Sequence, residues 1–408
     1  MPRKREFCVG SALLLAAVSV QLLIAARPAH GQTEKVLYSF GGYLGDGSYP
    51  VAGLVFDTNG NLYGTTLTGG EYSVGTVFEI TSDDAEKVLY SFGGYPGDGY
   101  YPEAALVFDT DDNLYSTTDQ GGAYAKGTVF EITPAGTEKV LHSFEGAPGD
   151  GYGTYAGLVF DTQGNLYGTT ELGGENGYFG EGTVFEIAPD GTEKVLYSFG
   201  SQSGDGLYPD AGLVFDTQGN LYGTTDQGGL YSYGTVFELT STGAEKVLHS
   251  FPTQSKDGYC GCAGLAFDTQ GNLYGTTYRG GKYYSGTVFE ITGKHGKEKV
   301  LHTFGRRSRD GVYPAAALVV DNEGNLYGTT QQGGKYGYGT VFEITAAGKN
   351  GRKKKILYAF GAQSGDGQYP AAGLVFDTKG NLYGTTYRGG DLACGEGYGC
   401  GTVFEVTP

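Results

Sequence analysis

The 408-residue chain has no tryptophan, one methionine and five cysteines. Helix-favouring runs of Ala, Leu, Glu and Lys are missing beyond the first 30 residues. In their place stand 75 Gly and 34 Tyr, both poor helix formers, so a helix-rich fold is excluded. With only 13 Pro beside that glycine, the two make up about a fifth of the chain, short of the level of low-complexity disorder. Positive charge is scarce as well: 27 Lys and Arg face 45 Asp and Glu, a net −18. What is present, 39% hydrophobic residues and 14% aromatics, is enough to fill a core. The class is all-β.

Residues 1–31 read as an export signal. Arg3, Lys4 and Arg5 form a positive head, Val9–Ala26 is an uncharged apolar run, and Ala29, His30 and Gly31 place small residues where a signal peptidase reads, with the cut after Gly31. The 18-residue run is barely long enough to anchor an uncleaved chain in a membrane. Cys8 precedes the run instead of ending it, which argues against a lipoprotein signal. Losing Arg3, Lys4, Arg5, Arg27 and Glu6 with this segment moves the net charge from −18 to −21. Nucleic acid and an anionic membrane would be repelled by that field. Arg306, Arg307, Arg309 and Arg352–Lys355 read as solvated loop charge. Neutral or cationic partners fit better, and the residues call for no cofactor and no metal.

Four cysteines remain after cleavage, consistent with an oxidising compartment and too few for a disulfide-built scaffold. Cys394 and Cys400 bracket GEGYG and can staple one loop, whereas Cys260 and Cys262, one glycine apart, can close only a strained ring. Neither pair has the spacing of a structural zinc site.

Self-similarity dominates the rest. GNLYGTT, with small variations, carries its Asn at Asn61, Asn113, Asn165, Asn220, Asn272, Asn325 and Asn381. AGLVFD precedes it, GTVFEI follows it, and EKVLYSF completes each unit, the seventh copy being the degenerate KKILYAF at Lys354. Each segment is short, β-branched or aromatic, and bounded by Gly, Asp, Asn or Pro, which is the strand pattern. Their nearly continuous apolar runs predict sheets buried on both faces. Seven four-stranded sheets stacked radially make a seven-bladed β-propeller. Taking AGLVFD as inner strand a, NLYGTT as b, GTVFEI as c and EKVLYSF as outer strand d, residues 32–408 open on a lone d and close on a, b and c. Residues 34–40 are therefore expected to complete the last blade and remove the open sheet edge. The units run 34–85, 86–137, 138–192, 193–244, 245–297, 298–353 and 354–408.

The recurring AGLVFDTxGNLYGTTxxGGxxGxGTVFEIT, followed by EKVLYSF, resembles the GloVer tandem repeat of secreted bacterial proteins and covers essentially the whole chain after the signal. The resemblance implies export and a propeller-like repeat, and implies no activity. Many members carry a C-terminal sorting anchor; this sequence stops at Pro408, and the expected product is soluble and monomeric.

A residue present in all seven units serves the blade before it serves a site. That rule assigns Asp57-Thr58-Asn59-Gly60-Asn61 to a hairpin, Glu79 to an ion pair with Lys87, and Asp46 to a loop turn. His142, His249 and His302 stand where other units hold a packing Tyr, such as Tyr38. Function is expected where the repeat breaks, on the face bearing the long d-to-a and b-to-c loops. Just before strand a the units read Val51, Glu103, Tyr155, Asp210, Cys262, Ala315 and Ala371, so Glu103 and Asp210 are candidate acid and base flanking Tyr155 at the channel mouth. Just after strand b, Asp119, Glu171 and Asp226 make an acidic arc, and Tyr278, Arg279, Tyr387 and Arg388 an aromatic and basic one. Rings beside planar hydrogen-bonding groups suit sugars. The expected function is an exported module binding a glycan or an extracellular protein. An extracellular glycan hydrolase or lyase, and a purely structural envelope protein, are the alternatives.

Overall fold

The computed structural model describes residues 33–177, 180–252, 257–259, 263–292, 296–346 and 351–408. Residues 1–31, expected to be an export signal, and Cys260, Cys262 and His295 lie outside the described residues. Seven four-stranded antiparallel sheets follow one another along the chain, with no α-helix among the described residues. In blade 1, strands a to d are Val55–Phe56, Leu62–Thr66, Thr76–Ile80 and Glu86–Ser91, paired in that order. Strand b of blades 2 to 7 opens at Leu114, Leu166, Leu221, Leu273, Leu326 and Leu382. Blade 7 takes its outer strand from the start of the chain: Thr33–Ser39 pairs with Thr402–Thr407, with Lys35 opposite Glu405. The chain is a closed seven-bladed propeller.

The repeated residues explain the closure. Strand c buries Val77, Phe78 and Ile80 almost completely, and the same three positions are buried in every blade. The Phe just after strand d meets the strand-c Phe of the next blade edge to face: Phe92 lies 5.0 Å from Phe130, and Phe40 lies 5.0 Å from Phe78 across the closing seam. Such a pair adds about 1 kcal/mol beyond the area it buries. Beside it, the middle Thr of strand b donates to a carbonyl of the next blade. Thr224 reaches Ala263 at 3.1 Å, and Thr385 reaches Ala52 at 3.0 Å. The last contact joins residues 333 apart in sequence with the geometry of an internal seam.

Polar repeats are equally structural. Asp57 Oδ1 accepts from the amides of Asn59 and Asn61, each at 2.8 Å, closing the a-to-b hairpin. Glu79, Glu238 and Glu290 face Lys87, Lys246 and Lys299 across strands c and d, at 3.8, 3.7 and 3.1 Å. Asp98 is fully buried and its Oδ2 accepts from Tyr90 Oη at 2.9 Å and from the amides of Gly93 and Gly94 at 2.7 and 3.0 Å.

The long loops carry structure that the strand pattern does not announce. Gly47–Ser48, in the d-to-a loop, pairs with Thr68–Gly69, in the b-to-c loop, as a two-stranded ribbon. Five other blades repeat the ribbon, and blade 5 keeps a bridge between Tyr259 and Arg279. Gly69 is required there: its φ is +84°, and a Cβ would fall 2.4 Å from the Asp46 carbonyl oxygen. The loop-rich face is thus a lashed platform. Cys394 and Cys400, bonded with their Cα atoms 5.6 Å apart, staple the b-to-c loop of blade 7.

Candidate functional site

On the lashed face, the residue before strand a nests between the b-to-c loops of its own blade and of the preceding one. At the closing seam this packing is apolar: Val51 and Ala371 are buried with Leu67 and Tyr387 against them. At the seam of blades 5 and 6, Ala315 packs with Tyr278 and Tyr313. The corresponding seam of blades 3 and 4 holds carboxylates instead. Asp210 takes the place of Val51, with Asp226 of its own blade and Glu171 of the preceding blade acting on it. Burial, then the charges of Asp226 and Glu171, holds the Asp210 carboxyl well above the usual carboxylate range. Its Oδ1 is buried with no hydrogen-bond partner among the described residues. Burial raises Asp226 as well, against a hydrogen bond from Gln227.

A second departure from the repeat lies against the same carboxylates. Five blades place Tyr-Pro ahead of strand a: Tyr49, Tyr101, Tyr208, Tyr313 and Tyr369, each with φ between 58° and 62°. This left-handed backbone is uncommon for a bulky residue and is held by the lashing, as when the Tyr49 amide donates to the Cys400 carbonyl at 2.7 Å. Blade 3 has Gly153-Thr154 in these positions. Gly153 keeps the conformation, φ +73°, without the phenol. A Cβ on it would lie 3.6 Å from Tyr155 Cε2 and 3.8 Å from Glu171 Oε2. Where five other blades project a tyrosine, blade 3 carries none, and the position is bordered by Tyr155 and Glu171. Thr154 is fully buried and donates to the Thr118 carbonyl at 2.8 Å, and the Glu181 carboxylate of the blade 3 b-to-c loop accepts from Tyr208 of the next blade and pushes the phenol up to about 12.

The remaining sequence candidates distribute around the mouth. Glu103 is buried at 6% exposure, and its charge opposes ionisation of Tyr387 on blade 7, after burial as the larger cause. Asp119 is half-buried, with Gln120 Nε2 donating to it at 3.3 Å. Tyr278 is only 8% exposed: its ring stacks on Tyr313 with centroids 5.1 Å apart, and its hydroxyl donates to Gln331 at 3.0 Å. Tyr387 packs on Tyr49, also at 5.1 Å. Arg279 and Arg388 lie over these two rings, at 5.9 and 5.6 Å, and Arg388 also covers Tyr398 at 4.8 Å. The aromatic arc is therefore largely occupied by its own side chains. Sequence reasoning named Tyr155, Glu171, Asp210 and Asp226 but overlooked Gly153. The available signal was Gly-Thr in the column that reads Tyr-Pro in five blades and Cys-Gly in the remaining one.

A cleft of about 510 Å³ lies on the opposite face, between blades 7 and 1. Asp57, Asn59, Asp377 and Lys379, from the a-to-b hairpins of blades 1 and 7, line it.

The model of the Gloeobacter/Verrucomicrobia repeat matches residues 23–230, 136–323 and 208–408, and the chain belongs to that family. No curated protein matches the sequence. Among solved structures, a gluconolactonase from Xanthomonas campestris is similar at 14% identity and a TM-score of 0.42, over 73% of this chain and 83% of that one. A chain of a nidogen/laminin complex is similar at 15% identity and a TM-score of 0.39, over 67% and 86%. Neither likeness bears on activity.

Proposed function

We propose that this member of the Gloeobacter/Verrucomicrobia repeat family is an exported binding module that takes a neutral or cationic ligand, a glycan or a protein side chain, at the seam of blades 3 and 4. One observation carries the reading: Gly153, which replaces the tyrosine of five blades, adjoins Glu171, and Glu171 and Asp226 act on Asp210, so acidic members of two variable columns meet at one seam. Carboxylates accept from ligand hydroxyl or ammonium groups, and the Tyr155 ring supports an apolar sugar face. A net charge of −18 across the whole sequence favours such ligands at long range. Export rests on the charge and apolar pattern of residues 1–31 and accords with the bonded Cys394 and Cys400.

The test is a glycan and peptide array read with the secreted chain and with Gly153→Tyr. The backbone at this position already accepts tyrosine in five blades, so the variant keeps the fold and restores the ring. Its binding is expected to fall by at least about tenfold, and Asp226→Asn should weaken a cationic ligand more than a neutral one. Undiminished binding by Gly153→Tyr would place recognition elsewhere.

One observation favours a second reading, a glycan hydrolase or lyase. Burial and the charges of Asp226 and Glu171 raise the Asp210 carboxyl well above the usual carboxylate range, the environment a general acid beside a base requires. Release of shortened product by the wild type and its abolition in Asp210→Asn would establish it; unchanged ligand recovered from the complex would exclude it.

A further inference from the structure

Where strand d of one blade meets strand d of the next, six of the seven seams bring together the loop Asp and the first Glu of the following outer strand. Four of the seams add the Tyr of the preceding strand, whose hydroxyl donates to the Asp, as Tyr90 does to Asp98 at 2.9 Å. The seam of blades 2 and 3 replaces that Tyr with His142. There His142 Nε2 lies 3.3 Å from Asp150 Oδ2, and one ligand atom from each of His142, Asp150 and Glu193 falls within 4.8 Å of the others. It is the one such group among the described residues. Glu193 Oε1 is buried there with no hydrogen-bond partner among them.

We propose that His142, Asp150 and Glu193 form a binding site for a divalent first-row metal ion of the zinc class, clamping blade 2 to blade 3. The donor set, one imidazole nitrogen and two carboxylate oxygens, is one that such ions take, with a fourth position left for water. Two neighbours position the donors. The Asp150 carboxylate accepts from the amides of Glu145 and Gly151, at 2.7 and 2.6 Å, and the His142 ring packs edge-on against Phe144 at 4.9 Å.

An independent observation shows that this place in a seam takes a cation. Between blades 5 and 6 the first residue of the outer strand is Lys354 instead of Glu, and its ammonium contacts Asp310 directly, beside His302. The protein supplies its own positive charge there. At the seam of blades 2 and 3 the same position carries a carboxylate with an imidazole beside it, so the cation proposed there comes from solution.

The chain's own variation supplies the controls. His142→Tyr restores the residue of four other seams, and Glu193→Lys copies the seam of Lys354, so neither is expected to impair folding. Metal-free wild type titrated with Co²⁺ and Zn²⁺ should bind about one equivalent tightly, with a visible Co²⁺ absorption of nitrogen and oxygen ligation and a rise in Tm. Both variants should lose that equivalent, with affinity falling by at least about a hundredfold. Failure of the wild type to bind, or equal affinity in wild type and both variants, would overturn the site.

Discussion

Each repeated polar residue has a local task that can be tested alone. Asp98 gathers a phenol and two amides while fully buried. Asp98→Ala removes the acceptor and strands those donors, so it should destabilise the chain by about 3 kcal/mol, measured as a shift in denaturation midpoint. A cost below about 0.5 kcal/mol would mean that water replaces the carboxylate. Glu34, Glu86, Glu138, Glu245 and Glu298 stand first or second in their outer strands, and burial, as the first cause, pushes each up to about 7 from 4.5. Tyr43 donates to Glu86 at 2.7 Å without cancelling that burial. A carboxyl raised in this way keeps a proton that the unfolded chain has already released. Its contribution to stability is present in mild acid and is lost as the pH rises through 7. His249, lowered by burial, opposes this as one group against five. Thermal stability should therefore increase from about pH 8 to about pH 5, and a Tm that falls over this interval would contradict the assignment.

At the scale of the element, the four strands of each blade were legible because each is a near-continuous apolar run set off by turn residues. The ribbons on the long-loop face were not. Gly47–Ser48 and Thr68–Gly69 are two residues each, too short for a period, and they exist because the loops lie against one another once the blades stack. The partners of Asp210 were hidden for a related reason. Order around the ring made Glu103 its apparent companion. Packing of the residue before strand a between two b-to-c loops brings Asp226 and Glu171 to it instead. Gly153 was overlooked because the reading sought side chains with chemistry, whereas this site also depends on a side chain that is missing. The disulfide belongs to this scale. Replacing both Cys394 and Cys400 by Ser releases a loop with a sequence separation of 6, and chain entropy puts the loss at about 2 kcal/mol. Unfolding in denaturant should show that shift, and an unchanged midpoint would mean that the loop is held by the ribbon alone.

For the whole molecule, the ring closes on contacts equivalent to those inside it. Thr385 to Ala52 has the length of Thr224 to Ala263 within 0.1 Å, and Phe40 meets Phe78 as Phe92 meets Phe130. Thr385→Val and Thr224→Val should therefore each destabilise the chain by about 1 kcal/mol. In an open array the first would cost nothing, because its partner would be absent. A closed, lashed scaffold with sevenfold sameness leaves little room for function except where the sameness fails. The proposed site is such a place, where the Tyr-Pro column fails at Gly153 and carboxylates of blades 3 and 4 meet.

The most direct measurement is a crystal of residues 32–408 soaked with mixed neutral and amino-bearing oligosaccharides. The account predicts ordered ligand density beside Gly153, within hydrogen-bonding reach of Glu171, Asp210 or Asp226 and against the ring of Tyr155. Ligand bound in the cleft of the opposite face, or over the arc of Tyr278 and Tyr387 with none beside Gly153, would contradict it.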